Sequence, residues 1–322
     1  MNRRAFMQAA LVAGGGAALD PEAAFGHGVT VSGRGPARHP GRAGASHQAE
    51  PFSMDFAPHF GMFREHGGGS LEGELQFMAD QGFRALEDNG MKGRPLEDQR
   101  RVANEMERLG MRMGVFVAHT IHWTEPNLAS GDPAKREEFL AEIRESVEVA
   151  KRVNATWMTV VPGHVDLRLH PDFQTANVVE SLKQASGILE PDGLVMVLEP
   201  LNPRDHPGLF LKGIPQAYQI CRAVGSPACK ILDDLYHQQI TEGNLIPNLD
   251  AAWEEIAYFQ IGDNPGRREP TTGEINFANV FRHIREKGFD GILGMEHGNS
   301  MKGKEGERAV IDAYVAADDF EV

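Results

Sequence analysis

Two cysteines in a chain of 322 residues are too few for a disulfide framework. Cys221 and Cys229 read instead as ordinary buried thiols, and they leave the cellular compartment open. Basic residues are scarce as well: 32 Lys and Arg against 46 Asp and Glu give a formal charge of −14. That balance argues against nucleic acid as a partner, since a phosphate backbone is normally met by a basic face. A small anionic substrate stays open, because it needs only a local Arg or Lys. No apolar run approaches the roughly 18 residues of a membrane span, so no stable span is expected in the mature chain. A glycine-rich phosphate loop of the dinucleotide type is missing too, for Gly67-Gly68-Gly69 does not follow a strand in the required pattern.

What is present divides the chain at about residue 50. Arg3 and Arg4 stand in a twin-arginine start, followed by a short, weakly apolar segment over 9–19 that contains Gly14-Gly15-Gly16. This resembles a twin-arginine (Tat) export signal, an address read by a receptor, and implies a periplasmic destination. The stretch from Asp20 to Pro51 is rich in Gly, Ala, Arg, His and Pro and has no periodicity, so it reads as a cleavage region and flexible linker. Residues 1–50 are accordingly expected to lie outside the fold, and 51–322 to form one catalytic domain. The 41% hydrophobic content suffices for a sizeable core.

From Ser53 onward short apolar runs alternate with amphipathic stretches. Strands are expected over 54–60, 83–89, 111–119, 157–162, 194–199, 230–237, 256–262 and 291–297. Helices are expected over 71–81, 96–109, 134–153, 174–189, 214–224, 244–256, 277–287 and 304–317. Gly82, Gly110 and Gly288 follow helical patterns, as left-handed C-caps do. Strict alternation requires a parallel sheet, and eight units of each kind predict an α/β fold of the closed (β/α)8 TIM-barrel class.

In such a barrel, chemistry sits at the C-terminal ends of the strands. Strand five ends in Glu199, strand six contains Asp233-Asp234, strand seven carries Gln260, and strand eight delivers Glu296. Carboxylates crowded at one rim raise one another's pKa unless a cation joins them. Oxygen ligands without cysteine suit one hard divalent ion, Mg2+ or Mn2+, with Glu199, Asp234, Gln260 and Glu296 as its ligands.

The segments VLEPLNPRDHPGLFL, LDDLYHQQITEGNL, FQIGDNPGRREPTTGEINF and GMEHG are similar to those of the hydroxypyruvate isomerase family. Those are sugar-isomerase-like barrels within the xylose isomerase superfamily, and the likeness covers most of 53–320. The resemblance implies the same four metal ligands, with Glu199 and Glu296 doubling as the acid/base pair. It implies that His237, in an Asp-x-x-His motif, contacts substrate. The reaction would move a carbonyl between adjacent carbons through an enediolate, of the hydroxypyruvate to tartronate semialdehyde type. Arg267 is the expected clamp for a substrate hydroxyl or carboxylate. His59, Glu87, His119 and His164 are candidates for lining the substrate pocket, and Trp123 for its apolar wall. The substrate would be a small sugar or hydroxy-keto acid, and a homo-oligomer fits the class.

Rival readings stay on the same barrel. A ketose 3-epimerase normally carries histidine where this chain has Gln260. A 2-oxo-tetronate-type isomerase is indistinguishable at this stage. Endonuclease relatives use several zinc ions and many histidines, against the acidic balance here. A catalytically silent exported sugar-binding protein would retain the four ligand positions without turnover.

Overall fold

The structure, a computed structural model, describes residues 52–320. The twin-arginine start and the whole of the stretch from Asp20 to Pro51 lie outside the described residues. Eight short parallel strands alternate with helices: β1 (Asp55–Ala57), β2 (Ala85–Leu86), β3 (Arg112–Met113), β4 (Trp157–Val160), β5 (Val195–Leu198), β6 (Cys229–Asp234), β7 (Ile256–Gln260) and β8 (Ile292–Gly294). Six of them pair in the order β1-β8-β7-β6-β5-β4, and β2 pairs with β3. Single parallel bridges complete the ring. His59 meets Glu87 between the exits of β1 and β2, and Met113 with Ala155 and Val117 with Thr159 join β3 to β4. Backbone bonds at those seams, Glu87 N to Pro58 O at 3.0 Å and Thr159 N to Phe116 O at 2.8 Å, confirm closure. The (β/α)8 barrel expected from the alternation is the observed architecture.

The barrel interior is filled by Ala57, Ala85, Val115, Val197, Leu232, Tyr258 and Ile292, all fully buried. A larger apolar layer lies between the strands and the helices outside them, as the two-layer logic of the fold requires. Cys221 and Cys229 are buried free thiols in that layer, as expected of two lone cysteines.

Helices expected at 96–109 and 214–224 are observed as α2 (Leu96–Leu109) and α5 (Ile214–Val224), and Gly110 is the left-handed C-cap of α2 at φ +69°. The others, α1 (Leu71–Asp80), α3 (Pro133–Val153), α4 (Pro171–Leu189), α8 (Phe277–Glu286) and α9 (Gly303–Ala317), differ only at their ends. Two expectations fail in an informative way. The strand expected over 230–237 stops at Asp234, and Leu235–Thr241 is a short helix, α6. Asp234 is its N-cap, accepting from Tyr236 N at 2.8 Å and His237 N at 3.2 Å. The helix expected over 244–256 is α7 (Leu245–Ala252), and a 3-10 turn over Trp253–Glu255 then feeds β7. At the C-terminal rim the strand pairing also ends earlier than the apolar runs suggest, leaving those residues free to enter loops.

Candidate active site

On β6, Leu232 points into the barrel interior, so strand alternation puts Asp234 on the inner face and Asp233 on the outer one. Asp233 is fully buried with neither oxygen hydrogen-bonded, and burial raises its carboxyl well above the ordinary range. Asp234 is the aspartate of the site. Around it, Glu199 continues inward from β5 and Glu296 follows β8 by two residues, while Gln260 ends β7.

Arg267 joins the rim from the loop after β7. Its Nη2 donates to Asp234 Oδ2 at 2.7 Å and to Glu296 Oε2 at 2.6 Å. That loop is built by Asp263, a buried carboxylate accepting from the backbone N–H of Asn264, Gly273 and Ile275 at 2.9, 2.8 and 3.1 Å. One buried side chain thus folds the whole 263–276 segment and aims Arg267 across the barrel mouth. The guanidinium also lies over the Tyr236 ring, 5.0 Å from its centroid.

The β5 exit loop sets the state of His237. Asn202 Oδ1 accepts from Arg204 N at 3.1 Å and Asp205 N at 2.9 Å, which fixes the orientation of the amide. Its Nδ2 therefore donates to His237 Nδ1 at 2.6 Å and to Asp205 Oδ2 at 3.0 Å. With Nδ1 accepting, the proton of the neutral imidazole is on Nε2. That N–H has no hydrogen-bond acceptor and lies 3.6 Å from Asp234 Oδ2 and 3.8 Å from Glu199 Oε1. Burial holds the imidazole neutral by lowering its pKa to about 4.

The charges are crowded. Burial first, then Glu296 and Asp234, raise the Glu199 carboxyl well above its ordinary range. Glu296 is pushed up to about 7, by burial with a contribution from Asp234 and against the pull of Arg267. Burial also works against ionised Asp234, but its pKa is lowered overall. His237, then Arg267 and the backbone N–H groups of His237 and Tyr236, are what lower it.

These residues fit a hard divalent ion. Three carboxylates converge, and Gln260 Oε1 is fully buried without a partner, an acceptor suited to a cation. Ligand atoms of Glu199, Asp234 and His237 also lie within 4.8 Å of one another. His237 nevertheless carries its proton on Nε2, so it acts as a donor and the oxygen set Glu199, Asp234, Gln260 and Glu296 is the one that could hold the ion.

The remaining expected residues separate. His119 is a packing residue rather than a pocket residue. Its Nδ1 meets Thr120 O at 2.9 Å, its Nε2 accepts from Val161 N at 3.3 Å, and Phe139 packs edge-on. His164 turns its Nδ1 to Val165 O and lies over Gly208, where a Cβ would come within 2.1 Å of its Nε2. Glu87 is 1% exposed on the floor of the site, with Tyr258 and Gln260 donating to its oxygens. Glu87 thus lines the cavity from below, with both of its oxygens already bonded. His59 joins the rim, lining a cavity of about 280 Å3 with Glu87, Asn89, Arg94 and Glu296. Trp123 stacks on His206, which packs edge-on to His237, giving the aromatic wall. Sequence reasoning missed Asn89, whose Nδ2 donates to Glu296 Oε1 at 2.8 Å, and Asn202. Only the Asn202-Pro203-Arg204-Asp205 turn pattern hinted at the latter.

A model described as the xylose isomerase-like TIM barrel matches residues 75–314, most of the chain. The chain belongs to that family. A hydroxypyruvate isomerase of Escherichia coli (strain K12) is 31% identical over 190 residues, 56% of this chain and 72% of that protein. A 2-oxo-tetronate isomerase of Cupriavidus necator is 30% identical over 190 residues, 58% and 73% of the two chains. The crystal structure of a family 2 AP endonuclease from Brucella melitensis superposes with a TM-score of 0.69 at 23% identity, over 79% of this chain and 96% of that one. At that identity the likeness is one of fold. The curated relatives support an isomerase built on this barrel.

Two tests follow from the geometry. Glu296 binds a proton more tightly in the folded chain than in the unfolded one, so its contribution to stability is full at low pH and lost as pH rises through about 7. Neutral buried histidines such as His237 pull the opposite way as pH falls through their unfolded value of 6.5, while Glu199, raised well above the ordinary range, adds to the loss at higher pH. Metal-free protein should therefore melt at a lower temperature at pH 8 than at pH 6.5, and added Mg2+ or Mn2+ should reverse the loss. A melting temperature that stays flat across that window removes the charge-crowding account. Separately, Asn202→Asp replaces the donor to Nδ1 with an acceptor and should move the proton from Nε2 to Nδ1. The 15N shifts of His237 would then exchange their pattern, and an unchanged pattern would show that Asn202 does not set the tautomer.

Proposed function

We propose that the protein is a divalent-metal-dependent isomerase of small hydroxy-keto acids, interconverting a 2-oxo acid such as hydroxypyruvate with the adjacent aldehyde, tartronate semialdehyde. The observation that carries this reading is the convergence of Glu199, Asp234 and Glu296 beside the unpartnered Gln260 Oε1. The two isomerase relatives support the substrate class.

In this reading one of the two glutamates, Glu199 or Glu296, removes a proton from the hydroxyl-bearing carbon. The C–H electron pair becomes the carbon–carbon double bond of an enediolate, and the carbonyl pair moves onto its oxygen. The other glutamate returns a proton to the former carbonyl carbon, and the hydroxyl proton passes to the oxygen beside it. Glu199 and Glu296 leave different strands, β5 and β8, so one could remove the proton and the other return it. Mg2+ or Mn2+ held by Glu199, Asp234, Gln260 and Glu296 would supply positive charge to the enediolate oxygens. The Nε2–H of His237 donates to one of those oxygens, and Arg267 meets the substrate carboxylate.

Glu199→Gln should lower turnover by about 10^2–10^4-fold with the melting temperature preserved. In deuterated water, the tartronate semialdehyde formed from hydroxypyruvate should carry label at the former carbonyl carbon. Inversion at a single ketose carbon would make the protein an epimerase instead, and no exchange with any member of a sugar panel would leave a binding protein. The twin-arginine start supports export by the Tat route as part of the same proposal. Cell fractionation tests it: recovery of the chain only in the cytoplasm would refute export.

A further inference from the structure

Gln260 differs from the other three oxygen ligands in having a choice. A carboxylate presents an oxygen whichever way it turns, but an amide turned by half a rotation presents N–H groups, which repel a cation. Something must fix that choice, and the side chains beneath the site do so. Gln260 Nε2 donates to Glu87 Oε1 at 2.8 Å, while Tyr258 Oη donates to Glu87 Oε2 at 2.9 Å. The Tyr258 hydroxyl in turn accepts from Val115 N at 3.4 Å, so its single proton is directed at Glu87. Burial and then Glu296 raise the Glu87 carboxyl, against the two bonds donated to it. Because Tyr258 and Gln260 make both of its oxygens acceptors, the opposite orientation of the amide would press Gln260 Oε1 against a carboxylate oxygen, acceptor against acceptor.

Two glycines make room for this relay. A Cβ on Gly294 would lie 1.8 Å from Glu87 Oε2, and a Cβ on Gly114 would lie 2.4 Å from the Tyr258 hydroxyl. Gly294 is also the register partner of Gln260 across β7 and β8, so the Glu87 carboxylate sits in the space its missing side chain leaves. Glu87 reaches this place from β2, far round the barrel from β7.

We propose that Glu87, oriented by Tyr258, is a positioning residue that locks the Gln260 amide with Oε1 toward the ion, and so sets the divalent-metal affinity of the site. The inference rests on the reading of Glu199, Asp234, Gln260 and Glu296 as the ion's ligands. In this role Glu87 acts through Gln260, whose amide it holds.

The test is Mn2+ binding to chelator-stripped protein without substrate, followed by calorimetry or by the electron paramagnetic resonance of free Mn2+. Glu87→Gln should weaken binding by about 10–100-fold, the range for loss of a partner behind a ligand. Gln260→Glu alone puts two carboxylates in contact and should also bind poorly. The double variant Glu87→Gln/Gln260→Glu exchanges donor and acceptor, restores the bond, and should bind better than either single variant. A merely structural role for Glu87 would give no such recovery. Should Glu87→Gln fail to fold, Tyr258→Phe keeps the packing, removes one anchor, and should weaken Mn2+ binding in the same direction. Folded Glu87→Gln with wild-type affinity, or losses in both single variants with no recovery in the double, would overturn the proposal. Wild-type protein that binds no Mn2+ would instead refute the metal-dependent reading on which it rests.

Discussion

Buried negative charge at one end of the barrel is the constraint on which the rest of the site depends. Glu199, Asp234 and Glu296 leave three different strands and meet at the barrel mouth, Glu199 and Asp234 buried and Glu296 with 26% of its side chain exposed, and desolvation makes each costly to ionise. Arg267 answers one of those charges by spanning Asp234 and Glu296 with a single nitrogen. Burial first, and then the neighbouring carboxylates, hold Glu199 and Glu296 above the ordinary carboxyl range. A site with those carboxylates, an orphaned amide oxygen and a neutral imidazole donor is suited to a hard cation and to an oxygen-rich substrate beside it.

The loops at this rim look irregular but are each folded by one polar side chain. Asp263 gathers three backbone N–H groups and thereby carries Arg267 to the centre. Asn202 accepts two backbone N–H groups with its oxygen and spends its nitrogen on His237, so a turn and a protonation state are settled by the same amide. Below them, Glu87 and Tyr258 fill the top of the barrel interior with a hydrogen-bonded relay rather than with apolar packing. The polar layer is expensive to bury and is placed where Gly114 and Gly294 leave space for it.

Much of the fold could be read from local pattern, for definite reasons. Helix α2 ends at a glycine with a left-handed backbone, and α5 ends before Gly225, so both carry their stop signals in adjacent residues. Helix α6 escaped notice because it is seven residues long and its N-cap is Asp234 itself, a residue that reads as the end of an apolar strand. The pocket histidines show the limit more sharply. His119 and His237 both stand near strand ends, yet His119 has its ring nitrogens taken by backbone and His237 turns one nitrogen toward two carboxylates. Nothing within a few residues of either distinguishes them.

The alternation of β and α patterns, the closed barrel it implies, and the set of polar residues ending strands five to eight were determined by sequence alone, because these follow from periodicity and chain order. Which aspartate of Asp233-Asp234 faces inward, which nitrogen of His237 holds the proton, and which way the Gln260 amide points were decided only by tertiary structure. Each depends on a partner brought from a distant strand or loop, and hydrogen-bond direction is a property of the pair rather than of the residue.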